Sequence, residues 1–457
     1  MVGRPVEPGA LLQGQTVTVP ITALAAGGDG IARLTDGRVL FVAGVVPGDT
    51  VEARLVHLKK DHAFGRILQI VQASPHRIEA PCPVAERCGS CQWQWIDYPF
   101  QLEAKQRQVR EALEHLGGFA EPPVEPVIAQ PRPFGYRNKS TFPIGRDARG
   151  EPVIGYYQKD SHRIVPLNAC PVQDSRLDPL LAAARELIRA QGWSIYDEKL
   201  HRGALRHLGL RIGERTGQRL LTFVVNGQTL SGIKPAAQAL MDRFPDLVGV
   251  CLNTHTERGN TIFGPQTRCV AGQDCIEDVL DGFRFRIEST TFFQICTSQA
   301  EILARLVVRG AAATSEQTVI DAYCGIGTLS LPLARTARSV VGIESHVRSV
   351  EQARRNAWIN GVENCRFKAG TVEALLPALK ADIVVVDPPR KGCDPAVLAA
   401  ILGSLRLRVV YVSCNPATLA RDLRQLVAGG YRLVRVQPVD LFAQTHHVEC
   451  VATLERP

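Results

Sequence analysis

The sequence lacks any uninterrupted apolar run of the roughly 18 residues or more that a membrane-spanning helix needs. Its first residues, MVGRPVEPGALLQG, hold no apolar core of signal-peptide length. The expected location is therefore the cytoplasm, with no membrane contact. Internal repeats and low-complexity segments are missing too. Lysine is scarce, supplying 10 of the 53 basic residues, and arginine supplies the rest. GC-rich coding explains that bias as readily as phosphate binding does. Cysteine is not scarce, but its count of 13 is odd, and no secretion signal accompanies it. That combination argues against a disulfide scaffold and for metal-binding or catalytic thiols.

What is present reads as an ordinary globular chain. Its 457 residues suggest two to four domains, and 45% hydrophobic with 21% charged residues excludes a mainly disordered or collagen-like protein. The net charge of +8 favours a polyanionic partner only weakly.

Residues 1–74 carry short β-branched runs, VTVPITALAAGGDGIARL, VLFVAGVVPGDTVEARLV and AFGRILQIV, punctuated by GGDG, TDGR and VPGDT. This predicts a small β-barrel, which either binds oligonucleotides or serves as a structural cap. Residues 75–286 open with Cys82-x5-Cys88-x2-Cys91 and continue into one amphipathic helix near 97–117, placed against the C-terminal domain. A mixed α+β stretch follows. In it RLLTFVV and LVGVCLNTH read as antiparallel strands, and RLDPLLAAARELIRAQG and KPAAQALMDRF as helices. From residue 287 onward, apolar strands without alternation (TVIDA, ARSVVGIE, ADIVVVD, LRVVYVS) alternate with helical stretches. That predicts a parallel sheet covered on both faces.

The chemistry-bearing motifs fall at the carboxyl ends of those strands, where open α/β sheets bind ligands. Asp321-Ala-Tyr-Cys-Gly-Ile-Gly327 turns from the first strand into a helix, and Glu344 closes the next strand, placed to hold two ribose hydroxyls. The three-glycine dinucleotide fingerprint is absent. This disfavours NAD and favours S-adenosylmethionine, which has no pyrophosphate to cradle. A glycine-rich turn without a ligand remains the alternative at this point. Asp387-Pro-Pro-Arg-Lys-Gly392 ends a third strand at the same rim. Cys414, in VSCNP, ends a fourth just before a helix, where a lowered thiol pKa would suit a nucleophile. Cys324, Cys365 and Cys393 read as small buried hydrophobes. Glu449 stands in a strand-like stretch between Val448 and Cys450, either functional or an exposed edge acid.

The ordered set FFQ (Phe292 to Gln294), DAYCGIGT, VVGIE, DPPRKG, YVSCNP and HHVEC resembles the RNA uracil-5-methyltransferases. The first segment resembles their TRAM domain. The resemblance covers nearly the whole chain. It implies an α/β multidomain architecture: an OB-like TRAM barrel, a central α+β domain with an iron–sulfur site, and a Rossmann-like methyltransferase domain at 287–457. It implies S-adenosylmethionine as cofactor, Cys414 as nucleophile and Glu449 as general base. Gln294, Tyr323, Gly325, Thr328, Glu344 and Asp387 are then the residues that contact cofactor or pyrimidine. Cys82, Cys88, Cys91 and Cys170 match the four-iron four-sulfur site of the branch that modifies 23S ribosomal RNA. By spacing alone zinc fits these thiols equally well, and the absence of Cys-x3-Cys-x2-Cys argues against radical chemistry. RNA is the expected partner, and the expected working unit is a monomer. A tRNA substrate, a base N-methyltransferase and a non-catalytic RNA-binding protein are the competing readings. The last two are disfavoured by Arg390 after DPP and by the Cys414 and Glu449 pair.

Two details complete the expectation. Cys296 stands where relatives often carry Asn after FFQ-x, which leaves one polar contact near the active site open. Between Arg132 and Arg163, seven Lys or Arg face three acids, interleaved with Phe134, Tyr136, Phe142, Tyr156 and Tyr157. Phosphate contact plus base stacking is the pattern expected for RNA, with Arg137 and Lys139 as its test.

Overall fold

The computed structural model describes residues 11–404 and 406–456. The first ten residues of the 1–74 span and Pro457 therefore lie outside the described residues. Thr16–Pro20, Ala23–Leu24, Gly30–Arg33, Val39–Val42, Thr50–Leu58 and His62–Gln72 close into one six-stranded sheet, in the order first, fifth, sixth, fourth, third, second. Alternation does the work: Leu40, Val42, Val51, Ala53 and Ala63 turn inward and their neighbours outward. Asp49 is wholly buried, and burial alone would raise its pKa. The Arg77 guanidinium at 2.6 Å and the Ser74 and Val46 amides outweigh that and hold it below the usual range. The barrel is thereby anchored to the segment that follows.

The helix Tyr98–His115 starts at an Asp97 cap, whose carboxylate accepts the Phe100 amide, and has Pro99 in its first turn. Its Val109 and Leu113 are buried among Ile320, Val384 and Leu419 of the C-terminal sheet and its helices. The central domain is a seven-stranded sheet ordered Gln266–Gly272, Leu247–Thr254, Arg219–Val225, Leu205–Ile212, Lys139–Arg146, Pro152–Tyr157, Ile164–Pro166. Helices Asp178–Gln191 and Ile233–Arg243 cover one face through Leu180, Leu181, Ala237 and Leu240. Arg219–Val225 and Leu247–Thr254 pair parallel, not antiparallel as their sequences suggested. The helix Ile233–Arg243 lies between them and carries the chain back to the same end of the sheet.

The C-terminal sheet has seven strands in the order Cys365–Ala369, Ser339–Glu344, Thr318–Ala322, Ile383–Val386, Arg408–Ser413, Glu449–Glu455, Arg432–Val439. The first five are parallel, and Glu449–Glu455 enters antiparallel between its two neighbours. The hairpin Cys275–Leu280 and Phe283–Glu288 contributes Ile276, Phe283 and Phe285 to the same core. Among the described residues no helix is long and apolar enough to cross a membrane.

Candidate active site

Topology brings the motifs together. Asp321, Glu344, Asp387 and Cys414 stand at or just past the carboxyl ends of four parallel strands. Glu449 joins them because its strand runs the other way, so that its first residue lies at the rim where its neighbour ends. Ser413 pairs with Cys450, which puts Cys414 and Glu449 at the same level of adjacent strands. Glu449 is 3% exposed and its strand lies one in from the edge, so the exposed-edge alternative does not hold.

The turn after the first strand needs glycine where glycine is found. Gly325 and Gly327 have φ of +54° and +91°, and a Cβ on Gly327 would meet the Phe367 ring at 3.4 Å. Nothing lies within 4 Å of where a Gly325 Cβ would stand. The Gly325 amide donates to Glu344 Oε2 at 3.2 Å. Tyr323 also has positive φ, +68°, and Thr328 lies partly buried where the turn enters the helix Ser330–Ala334. The Gln294 carbonyl accepts Asn138 Nδ2 at 2.9 Å, which ties the FFQ loop to the central domain.

The rim is crowded with carboxyl groups. Burial pushes Asp321 up to about 7, against the Ser330 hydroxyl bond at 2.5 Å, with the charges of Asp387 and Glu344 adding to the rise. Burial likewise raises Asp387 to about 7. Glu449 is raised well above the carboxylate range, first by burial and then by Asp387, with Arg390 opposing. Asp321 Oδ1 is buried without a partner. A cleft with an unpaired buried carboxyl oxygen and acids on three loops suits a cationic ligand, and S-adenosylmethionine carries a sulfonium and an ammonium. The residues present fit that cofactor.

Cys414 departs from expectation in one respect. Burial pushes its thiol up to about 11, the Glu449 charge adds to this, and Arg390 opposes both. The helix start does not lower it, because burial and a neighbouring acid outweigh it. Asn415 caps that helix through the Ala417 amide at 3.1 Å and donates to the Arg390 carbonyl at 3.1 Å, which locks the Cys414 loop to the DPPRKG loop. Cys324 and Cys393 are buried, while Cys365 is only partly so. Burial raises Cys324 well above the thiol range and Cys393 to about 12.

Several placements correct the sequence reading. Cys296 is wholly buried, 3.2 Å from Gln130 Nε2, and faces that amide. Tyr136 and Phe142 belong to the core, at 4% and 0% exposed. Arg137 contacts the Tyr136 hydroxyl, and its charge acts on Cys91 and Cys170. Cys91 and Cys170 pack together with Tyr136, Val172 and Ala443, and the charge of Cys82 or Cys88 is felt at Cys91. Yet among the described residues no three His, Cys, Asp or Glu side chains are arranged to hold a metal ion. The four thiols share a neighbourhood without forming a ligand set, so the geometry does not support the iron–sulfur site.

Residues to which the sequence reading gave no site role also shape the cleft. Arg390 Nη2 lies 3.3 Å from His447 Nε2, and the His446 and His447 rings are 4.1 Å apart. Burial pushes these imidazoles down to about 4 and 3, so both are neutral. The position of Arg390 directly after DPP was a usable signal. Gly28 gave none. A Cβ there would meet His446 Nδ1 at 3.1 Å, so the barrel leans on the active-site rim. The Trp93 indole donates to the Gly28 carbonyl at 3.0 Å, and Lys159 holds Asp29 at 2.5 Å.

A Rossmann-like domain with this rim, behind a β-barrel, defines a methyltransferase class of nucleotide-cofactor enzymes, and comparison with known proteins narrows it. The profile of the tRNA (Uracil-5-)-methyltransferase family matches residues 264–457, and that of the TRAM domain matches residues 10–68. An uncharacterized RNA methyltransferase of Gloeobacter violaceus is 92% identical over 456 residues, covering 100% of both chains. One from Nostoc sp. is 49% identical over 445 residues, covering 97% of this chain and 96% of the relative. The crystal structure of the Pyrococcus abyssi tRNA (uracil-54, C5)-methyltransferase with S-adenosyl-L-homocysteine superposes with a TM-score of 0.78. It is 28% identical and covers 96% of this chain and 99% of its own. The chain belongs to the S-adenosylmethionine-dependent RNA uracil-5-methyltransferase family, with a TRAM domain at its N-terminus.

Proposed function

We propose that the protein methylates carbon 5 of a uridine in RNA through a covalent adduct with Cys414. The observation that carries this reading is the juxtaposition of Cys414 and Glu449 on adjacent strands of one rim, beside Asp387 and Arg390. S-adenosylmethionine, when bound, supplies an electrophilic methyl group. Carbon 5 of uracil is a poor nucleophile. Addition of the Cys414 thiolate at carbon 6 turns the ring into an enolate whose carbon 5 can take the methyl group. Glu449, unprotonated, then removes the carbon 5 proton. The carbon–sulfur bond breaks, the ring is restored and the thiolate is released. Arg390 favours the thiolate throughout. Asp321, Tyr323, Gly325, Thr328, Glu344 and Asp387 hold the cofactor, and Gln294 contacts the pyrimidine or the cofactor. The base must leave its stack to enter.

In this reading the barrel at 1–74 and the central domain at 75–286 present RNA to the domain at 287–457. The enzyme works as a monomer in the cytoplasm. The substrate is 23S ribosomal RNA. Support comes from the resemblance of Cys82, Cys88, Cys91 and Cys170 to the cysteine set of the 23S ribosomal RNA branch. An iron–sulfur cluster on those thiols rests on the family resemblance alone, and no step of methyl transfer passes through them. A tRNA substrate is the second reading, favoured by the full-length likeness to the Pyrococcus enzyme. Mapping 5-methyluridine in ribosomal and transfer RNA from cells with and without the gene decides between them. Loss in neither RNA overturns the proposal.

A further inference from the structure

The central sheet carries a buried and a partly buried basic side chain that meet no carboxylate among the described residues. Lys139 and Arg211 are register partners on antiparallel strands, so their side chains stand side by side on one face. Arg211 is 3% exposed. Its Nη2 donates to the Thr291 carbonyl at 2.6 Å, but its Nε and Nη1 are buried without partners. Lys139 is partly buried with its ammonium 5.3 Å from the Phe263 ring, and among the described residues it makes no side-chain hydrogen bond or ion pair. Burial pushes Arg211 down to about 10, and burial with the Arg211 charge pushes Lys139 down to about 7. Among the described residues no carboxylate acts on either. Two neighbouring desolvated like charges are costly unless an anion completes them.

Their position says which anion. Thr291, bonded to Arg211, lies three residues before Gln294. Asn138, next to Lys139, donates to the Gln294 carbonyl at 2.9 Å. The basic pair thus hangs on the loop of Gln294, to which the proposed function gives a contact with pyrimidine or cofactor, and Phe292 of that loop is 70% exposed.

We propose that Lys139 and Arg211 seat one phosphodiester group of the RNA next to the nucleotide that enters the active site. The Lys139 ammonium and one unpartnered N–H of the Arg211 guanidinium can each donate to an oxygen of one phosphate. The seat is Lys139 with Arg211, and Arg137 plays no part in it, because Arg137 faces the thiols. This deepens the reading that RNA is the substrate and rests on it.

The test is binding of labelled oligouridylate across a salt series by wild-type protein, Lys139→Gln and Lys139→Arg. Neutralising one phosphate contact on a single strand should lower the slope of log affinity against log salt by about 0.7. Lys139→Gln should show that loss, and Lys139→Arg should retain the wild-type slope. Free Lys139→Gln should melt no lower than wild type, since an uncompensated cation has been removed. S-adenosylhomocysteine affinity, measured by calorimetry, should not change. An unchanged slope overturns the proposal. So does a lowered melting temperature in Lys139→Gln, which would make Lys139 structural, or weakened S-adenosylhomocysteine binding, which would give the seat to the cofactor carboxylate. Methyl transfer by the wild type is assayed separately. Its absence sinks the methyltransferase reading and leaves the slope comparison interpretable.

Discussion

The ammonium of Lys105 lies 2.6 Å from the Asp440 carboxylate, and both side chains are wholly buried. The pair joins the helix that follows the cysteine group to the loop that leads to His446, His447 and Glu449. Asp440 also accepts the Tyr98 hydroxyl at 2.8 Å and the Phe442 amide at 3.1 Å. Two chain segments more than 300 residues apart, one helix and one loop, thus converge on one carboxylate.

Lys105→Met should cost about 3–5 kcal/mol of stability, because it leaves Asp440 charged and buried without its cation. Denaturant titration measures this. A loss below about 1 kcal/mol would mean that water reaches Asp440 and that the pair contributes little.

The Glu344 carboxylate accepts the Gly325 amide at 3.2 Å and the His346 amide at 2.8 Å, which fixes it beside the turn. Glu344→Ala should weaken S-adenosylhomocysteine binding in calorimetry while leaving RNA affinity largely intact. Unchanged affinity would remove Glu344 from the cofactor site.

Local chemistry was legible where it is local. The strand ends at Asp321, Glu344, Asp387 and Cys414 followed from apolar runs broken by Gly, Pro and Asn. The family followed from six motifs in order. Pairing was not legible. The crossover helix Ile233–Arg243 made a parallel pair from strands read as antiparallel, and strand sequence alone does not specify partner direction. Nor could local pattern place Phe142 and Tyr136 in a core instead of on an RNA face, since alternation does not say which side is covered. The thiol of Cys414 was misjudged for a related reason. Its helix start is a sequence feature, whereas its burial beside Glu449 arises from a strand that arrives 35 residues later.

That burial sets a pH dependence. With the thiol held near 11, its thiolate fraction at neutral pH is small, and it should rise roughly tenfold per pH unit below that value. Iodoacetamide modification of Cys414, followed by peptide mass spectrometry between about pH 7 and 9, should show this slope. Arg390→Gln removes the cation that favours the thiolate and should slow modification. Glu449→Gln removes the acid whose charge opposes the thiolate and should speed modification. Fast, pH-independent modification of the wild type would mean that the thiol is already ionised.

Cys414 and Glu449 should fail in different ways if one adds to the base and the other deprotonates it. Cys414→Ala has no nucleophile, so it should form no adduct with RNA and transfer no methyl group. Glu449→Gln retains addition and methyl transfer but cannot remove the carbon 5 proton, so elimination stalls. That variant should accumulate a protein–RNA complex that survives denaturing electrophoresis. RNA carrying 5-fluorouridine should trap the wild type in the same way, because fluorine cannot leave as a cation. A purely structural role for either residue predicts lost folding or weakened RNA binding, and no trapped species. Should Cys414→Ala still form the fluorouridine adduct, the nucleophile is another thiol. Cys324 and Cys393 are poor substitutes, since burial holds both firmly protonated behind the rim.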